Sequence, residues 1–306
     1  MPELAHPLAD LDLRLVRYFT VVARHRHFGR AAAELRIAQP SLSRQIRQLE
    51  AQLGTRLLDR DRQGTRLTGA GEVFLPHATA LLRSAVRAAA VAQAAAQPDR
   101  IVIGYTGGLI VTPAVHDLRR EHPDADVRAL HLEWNEPPEA PLGHRVDAAV
   151  TRLPLRAGGL HMTILYAEPR KLLVAAGHRL AGRESVTLDD IADEPMPRFP
   201  DPEWNAYWRI DPRPDGSPAP DGPFAEHHAD KLEFVAAGQA VAIVPAVPPA
   251  GSPRPDLTAI PLHGVEPAHV VLATRADDRS RLAAAFRESA RDRLTAPAAD
   301  QQPETP

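Results

Sequence analysis

The sequence predicts a mixed α/β chain in two parts joined by a long helix. Three observations predict it: apolar residues at helical spacing through the first hundred positions, an Ala-rich stretch over residues 69–97, and alternating strand and helix patterns from residue 98 onward. With 306 residues, 44% of them hydrophobic, the chain can bury a real core in two or three units. The formal net charge of -3 hides a split. Residues 1–97 hold 14 Arg against 8 Asp and Glu, a net of +6, which leaves 22 basic and 31 acidic residues, a net of -9, in the remainder. The basic end is the candidate for a polyanionic partner. With no cysteine, disulfides, thiolate metal sites and thiol redox switches are excluded. The first twelve residues carry Glu3, Asp10 and Asp12 and no long apolar run, so neither a secretory signal nor a membrane span is expected there, and the cytoplasm is the expected location.

The elements follow in order. Leu11, Leu15, Phe19 and Val22 recur at helical spacing and predict a helix ending near His25. Phe28, Gly29 and Arg30 open a second, short helix whose packed face is Ala31, Ala32 and Leu35. In the third, Pro40 suits a first turn, where a missing N–H costs nothing. Its apolar residues Leu42, Ile46, Leu49 and Leu53 fall on one face, which leaves Ser41, Arg44, Gln45, Arg47 and Gln48 opposite. Side chains of those types and lengths reach base edges in a major groove. After Gly54, residues 57–68 read as a small hairpin with Gly64 at its tip and Arg60, Arg62 and Arg66 on its flanks, a wing suited to phosphates or a minor groove. A polar helix face and an Arg-bearing hairpin are also what an ordinary solvated surface shows.

The wider run separates these readings. Phe28, Gly29, Arg30, Ala31, Ala32, Ala33, Glu34 and Leu35, then Gln39, Pro40, Ser41, Leu42, Ser43, Arg44, Gln45 and Ile46, then Leu49 and Glu50, Leu53 and Gly54, Leu57 to Arg60, and Leu67, Thr68, Gly69, Ala70 and Gly71 together resemble the DNA-binding domain of LysR-type transcriptional regulators. Departures are mild. His27 to Arg30 stand where the family has a Ser-Phe-x-x-Ala-like entry, and Leu58 and Asp59 replace Phe-Glu before Arg60. The resemblance implies a winged helix-turn-helix over residues 1–68 with Gln39, Pro40, Ser41, Ser43 and Arg44 nearest the bases, and with Arg60 and Arg66 gripping phosphates. Arg30, Arg47 and Gln48 complete the expected DNA-binding set. It also implies that residues 69–97, where Phe74, Leu81, Leu82, Val86 and Ala89 line one side, form a linker helix that pairs protomers. A homodimer or homotetramer would then read a two-part, roughly palindromic operator in double-stranded promoter DNA, with RNA polymerase as a further expected partner.

In the second half, Ile101 to Tyr105, Val127 to Leu132 and Val146 to Val150 read as strands, with a helix after Thr106, Gly107 and Gly108 that runs to Glu121. Such alternation places a ligand beyond the strand ends. Thr106 is either a helix cap or a contact for an effector, and the N–H groups of Gly107 and Gly108 would face an anion at the helix start. A second unit follows through Lys171 to Ala175, Phe234 to Gly238 and Val241 to Pro245. Val270 to Ala273 and a helix over residues 282–294 then return to the first unit. Residues 98–295 are similar to a two-lobed periplasmic-binding-protein fold, with lobe I at 98–165 and 263–295, lobe II at 166–262, and hinges near Ala167 and Leu262. An unidentified small-molecule effector is expected between the lobes. Its candidate contacts are Thr106, Gly107, Gly108, Trp134, Thr151, Arg152, Phe199, Pro200 and Trp204.

Arg152 would pair a carboxylate effector or form an exposed salt bridge, and the tryptophans are ligand contacts or packing residues. Residues 211–223 read as a surface loop and 296–306 as a disordered tail. The competing function is an α/β enzyme or small-molecule-binding protein with a helical interaction module. No G-x-S-x-G, G-x-x-x-x-G-K, G-x-G-x-x-G or H-E-x-x-H occurs in the sequence, so no catalytic residue, cofactor or metal is expected. The adjacent His227 and His228 point apart on a regular element and read as polar surface.

Overall fold

The computed structural model describes residues 11–61, 64–156, 158–245 and 254–296. It divides into two compact units at residues 93/94.

The first unit opens with α1 (Leu13–His25), capped by the Asp12 carboxylate, which accepts the Arg14 N–H at 2.8 Å. α2 (Phe28–Leu35) is capped by His27 and ends at Arg36, which takes a left-handed conformation (φ 55°). Ile37 and Ala38 then lead into α3 (Gln39–Leu53), with Pro40 in its first turn and Gly54 in the left-handed region (φ 68°) as its stop. Leu15, Val16, Phe19, Val22, Phe28, Ala31, Ala32, Leu42, Ile46 and Leu49 close one core between the three helices. β1 (Leu58–Asp61) and β2 (Gly64–Leu67) pair antiparallel, Leu58 opposite Leu67 and Asp59 opposite Arg66. The Glu50 carboxylate fastens this hairpin to α3 by accepting the Leu57 and Leu58 N–H groups at 2.8 and 3.1 Å. Residues 62 and 63, which include Arg62 of the predicted wing, lie outside the described residues.

α4 (Gly69–Ala96) follows, its first turn held by Thr68 Oγ1, which accepts the Gly71 N–H at 3.0 Å. A Cβ on Gly71 would stand 2.1 Å from the Leu57 carbonyl oxygen, so only glycine lets the helix start this close to the hairpin. Gly71→Ala is therefore expected to lower the stability of the first unit by about 1–3 kcal/mol, read as a lower urea midpoint; an unchanged midpoint would contradict this contact. The apolar side of α4 is divided. Phe74, Leu75, Ala78 and Leu82 pack on the three-helix core, whereas Val73, Leu81, Val86 and Val91 stand exposed, Val86 by 61%.

The second unit begins with β3 (Arg100–Thr106), α5 (Thr112–Glu121), β4 (Asp126–Leu132), the short α6 (Glu139–Leu142), β5 (Ala148–Arg152), β6 (Leu160–Glu168) and β7 (Arg170–Ala175). It continues through β8 (Met196–Arg198), α7 (Pro202–Arg209), β9 (Asp221–Phe224), α8 (His228–Ala236), β10 (Ala242–Pro245), β11 (Leu257–Pro261), β12 (Ala268–Arg275) and α9 (Arg281–Arg293). A five-stranded sheet runs in the order β4-β3-β5-β12-β6, with β3 parallel to both neighbours and β12 antiparallel to β5 and β6. α5 and α9 cover it through Val115, Leu118, Leu282, Phe286 and Ala290. A second, antiparallel sheet, β10-β7-β11, has its own core of Leu172, Val174, Ile191, Trp208, Val241, Ile243 and Ile260. The chain passes between the sheets at residues 168–170 and 261–268.

Several sequence expectations need correction. Thr106 does not cap a helix, because α5 starts six residues later behind Val111, with Pro113 in its first turn. Gly107 and Gly108 are consequently not at a helix N-terminus, and Gly108 instead supplies a left-handed turn (φ 76°). β6, which the sequence reading passed over, is the edge strand of the large sheet. The predicted loop over 211–223 contains buried Arg213 and Ala219 and the first residues of β9. Residues 297–306 of the predicted tail lie outside the described residues.

Candidate functional sites

In the first unit, α3 presents Gln39, Pro40, Arg44, Arg47 and Gln48 to solvent, with Ser41 half-buried beside them. Pro40, Arg44, Arg47 and Gln48 lie within one stripe at 100° per residue, so their side chains leave the helix together. Arg30 is exposed on α2. Gly29, at the start of α2, lies close to its capping residue: a Cβ there would stand 2.9 Å from the His27 ring, with Gln39 Oε1 of α3 at an ordinary contact distance of 3.7 Å. Arg66 is exposed on β2, and Arg60 lies in β1 with its side chain outside what the structure describes. Ser43, expected among the residues nearest the bases, is 6% exposed. Gln45, read as part of the polar face, turns partly inward, its Oε1 buried.

The second site is a cleft in the second unit, at the C-terminal ends of β3 and β5. The strands run parallel and bring Thr106 and Thr151 together, their hydroxyl oxygens 3.4 Å apart. Trp134, two residues beyond β4, meets Phe199 and Trp204 with ring centroids at 5.1 and 5.0 Å, so five of the nine expected contacts converge here. A cavity of about 150 Å³ opens against Trp134, Thr151, Leu155 and Trp204. Its rim carries Arg156, which lies 3.4 Å from both Asp201 and Glu203. Pro200 is exposed and does not line this cavity.

Arg152 forms a salt bridge, but a buried one. Glu168 holds its guanidinium, and its Nη1 donates to the Gly107 carbonyl at 2.8 Å. The side chains are 8% and 1% exposed, so the exposed pair expected from the sequence is not what forms. Arg152 thus braces the Gly107 turn, with its charge already met inside the fold.

Two residues of α8 were not recognised in the sequence. His227 is the polar surface expected of it, but His228 is half-buried, its ring 5.9 Å from both Phe199 and Trp204. Burial, with the charges of Lys231 and Arg152, pushes its pKa down to about 2. One turn further along the same helix face, Lys231 is 9% exposed. Burial and the Arg152 charge lower its ammonium to about 8. Below its ordinary value of 6.5 the unfolded chain takes up a proton at His228 that the folded chain refuses down to about 2, so acid favours unfolding. The thermal midpoint is expected to fall between pH 7 and pH 5, and to fall less in His228→Phe; equal falls would contradict a neutral, buried His228.

The LysR substrate binding domain profile matches residues 97–295, and that of the bacterial regulatory helix-turn-helix protein, lysR family, matches residues 13–72. The chain belongs to the LysR family. Among LysR-type relatives, it is 33% identical over 191 residues to the HTH-type transcriptional regulator AlsR of Bacillus subtilis (strain 168), covering 61% of this chain and 63% of AlsR. It is 35% identical over 196 residues to the uncharacterized HTH-type transcriptional regulator YnfL of Escherichia coli (strain K12), covering 62% of this chain and 66% of YnfL. The matched part therefore spans slightly under two thirds of each relative. The crystal structure of the LysR family transcriptional regulator CbnR superposes with a TM-score of 0.58 at 25% identity, over 93% of this chain and 99% of CbnR. Full-length CbnR complexed with its target DNA superposes with a TM-score of 0.50 at 26% identity, over 92% of this chain and 99% of that one.

Proposed function

We propose that this LysR-family chain is a sequence-specific DNA-binding transcriptional regulator whose DNA affinity responds to a small molecule held in the cleft of its second unit. The observation that carries the reading is the exposed stripe of Pro40, Arg44, Arg47 and Gln48 on a helix set by a short turn against α2. Residues 1–68 read the DNA, residues 69–97 pair protomers, and residues 98–295 hold the effector. The exposed Val73, Val86 and Val91 of α4 support pairing, because a second copy removes that apolar surface from water. The target-DNA complex of CbnR supports the DNA partner. A homodimer or homotetramer with two reading heads matches an interrupted palindrome in a promoter, where RNA polymerase is the neighbouring partner. Such a regulator works in the bacterial cytoplasm and performs no chemistry on its ligand.

Footprinting of the DNA upstream of the protein's own gene tests this, and two protected half-sites about one helical turn or a multiple apart are expected. Uniform protection without half-sites would count against sequence-specific reading. Arg66→Ala is expected to weaken binding to all DNA and to flatten the slope of log affinity against log salt by about one unit. An unchanged slope in a salt series would remove Arg66 from the phosphate contacts.

A further inference from the structure

α1 ends at Arg26, whose backbone takes the left-handed conformation (φ 49°) that favours glycine, because a Cβ crowds the chain there. An arginine at this turn holds its side chain in place at a backbone cost. The side chain is exposed and, among the described residues, makes no ion pair or hydrogen bond. Arg14, Arg24 and Arg56 of the same unit are by contrast committed, to Asp12 at 3.1 Å, Glu34 at 2.6 Å and Asp59 at 3.1 Å.

The wing fixes where Arg26 stands. Its carbonyl accepts the Thr65 N–H at 3.2 Å, and a Cβ on Gly64 would lie 3.4 Å from the same oxygen. Exposed Arg66 follows Thr65 along β2. On the other side α2 begins two residues after Arg26, with exposed Arg30 in its first turn and the positive end of its backbone dipoles there. Arg26 therefore occupies the seam between the wing and the start of α2, with Arg66 and Arg30 on the two elements that flank it.

We propose that Arg26 grips a DNA phosphate at this seam, joining the contacts of the wing to those of α2. The assignment rests on the reading of the first unit as the DNA-binding part. A guanidinium suits a phosphate because two of its N–H groups reach two oxygens at once. Such a contact positions the protein and carries no sequence information, so it acts alike on operator and random DNA.

Glycine at this position separates the side chain from the turn it closes. Full-length Arg26→Gly is expected to raise the urea midpoint of the first unit, since the turn is relaxed, and yet to bind DNA less well. Fluorescence anisotropy over a salt series reads the binding, on a duplex from upstream of the protein's own gene and on a random duplex. The loss should be about fivefold or more near ~0.1 M salt and similar on both, with the slope of log affinity against log salt flatter by about one unit. Arg26→Lys, which keeps the charge and the left-handed turn, should retain most of the slope. Arg24→Ala removes an equal charge that Glu34 already meets, and should leave the slope in place. An unchanged slope in Arg26→Gly, or equal flattening in Arg24→Ala, overturns the phosphate contact and leaves the DNA-binding reading standing. A midpoint that falls together with the affinity makes Arg26 a residue of the folded turn and overturns the contact too. If wild-type binding shows no salt dependence on either duplex, the DNA-binding reading falls, and the contact with it.

Discussion

Glu168→Ala is expected to destabilise the second unit by about 3–5 kcal/mol, the loss typical of breaking a buried ion pair from one side. The carboxylate is 1% exposed and holds a guanidinium that is 8% exposed, so neither side chain can turn to water when its partner is removed. Loss of Glu168 would leave Arg152 with the Gly107 carbonyl at 2.8 Å as its remaining named contact, in surroundings where Lys231 is also buried. The damage should reach the cleft, because Arg152 positions the turn after β3. Urea unfolding followed by tryptophan fluorescence measures the effect. The double variant Arg152→Met/Glu168→Leu should recover most of the loss, since an apolar pair of similar volume needs no counter-charge. A single-variant loss below about 1 kcal/mol, the size of an exposed pair, would contradict the burial of this bridge.

Arg44→Ala is expected to weaken binding to the operator by about 1–3 kcal/mol, the worth of a bidentate contact to a base, and to change binding to random DNA far less. Arg44 is exposed at the centre of the α3 stripe, with Pro40 one turn before it and Arg47 and Gln48 one turn after. Removing it leaves the helix intact, since Leu42, Ile46 and Leu49 supply its packing and alanine is a good helix former. Fluorescence anisotropy at fixed salt measures both affinities. An equal loss on operator and random DNA would make Arg44 a phosphate contact instead.

The helical skeleton of the first unit was legible because its packing is local: Leu15, Phe19 and Val22 on α1 and Leu42, Ile46 and Leu49 on α3 recur at the period of the helix they stabilise. The buried side of α3 is wider than the line through its leucines, and Ser43 beside Leu42 is 6% exposed. In the second unit β3, β4, β5 and β12 of the large sheet are legible as apolar runs, whereas its edge strand β6, half-exposed along most of its length, is not, and the start of α5 at Thr112 and Pro113 is masked by Thr106, which resembles a cap because glycines follow it. The cleft was half legible. Trp134, Phe199 and Trp204 stand out in a chain with few aromatic residues. The burial of His228 and Lys231 has no local signature. Phe199 and Trp204 come to His228 from more than twenty positions away in the chain, and Glu168 reaches Arg152 from sixteen. Contacts of that separation are set by sheet topology, which no window of sequence contains.

The reading of α3 as a helix that recognises a defined DNA sequence meets its most direct test in a competition titration. Labelled DNA from upstream of the protein's own gene is bound at fixed salt and displaced with the same sequence or with random DNA, for wild type and for Arg44→Ala. Wild type is expected to prefer the upstream sequence by roughly a thousandfold or more, in the range typical of specific regulators, and Arg44→Ala to lose much of that preference while keeping its affinity for random DNA. A wild type displaced equally well by both competitors, or a preference untouched in Arg44→Ala, would contradict it.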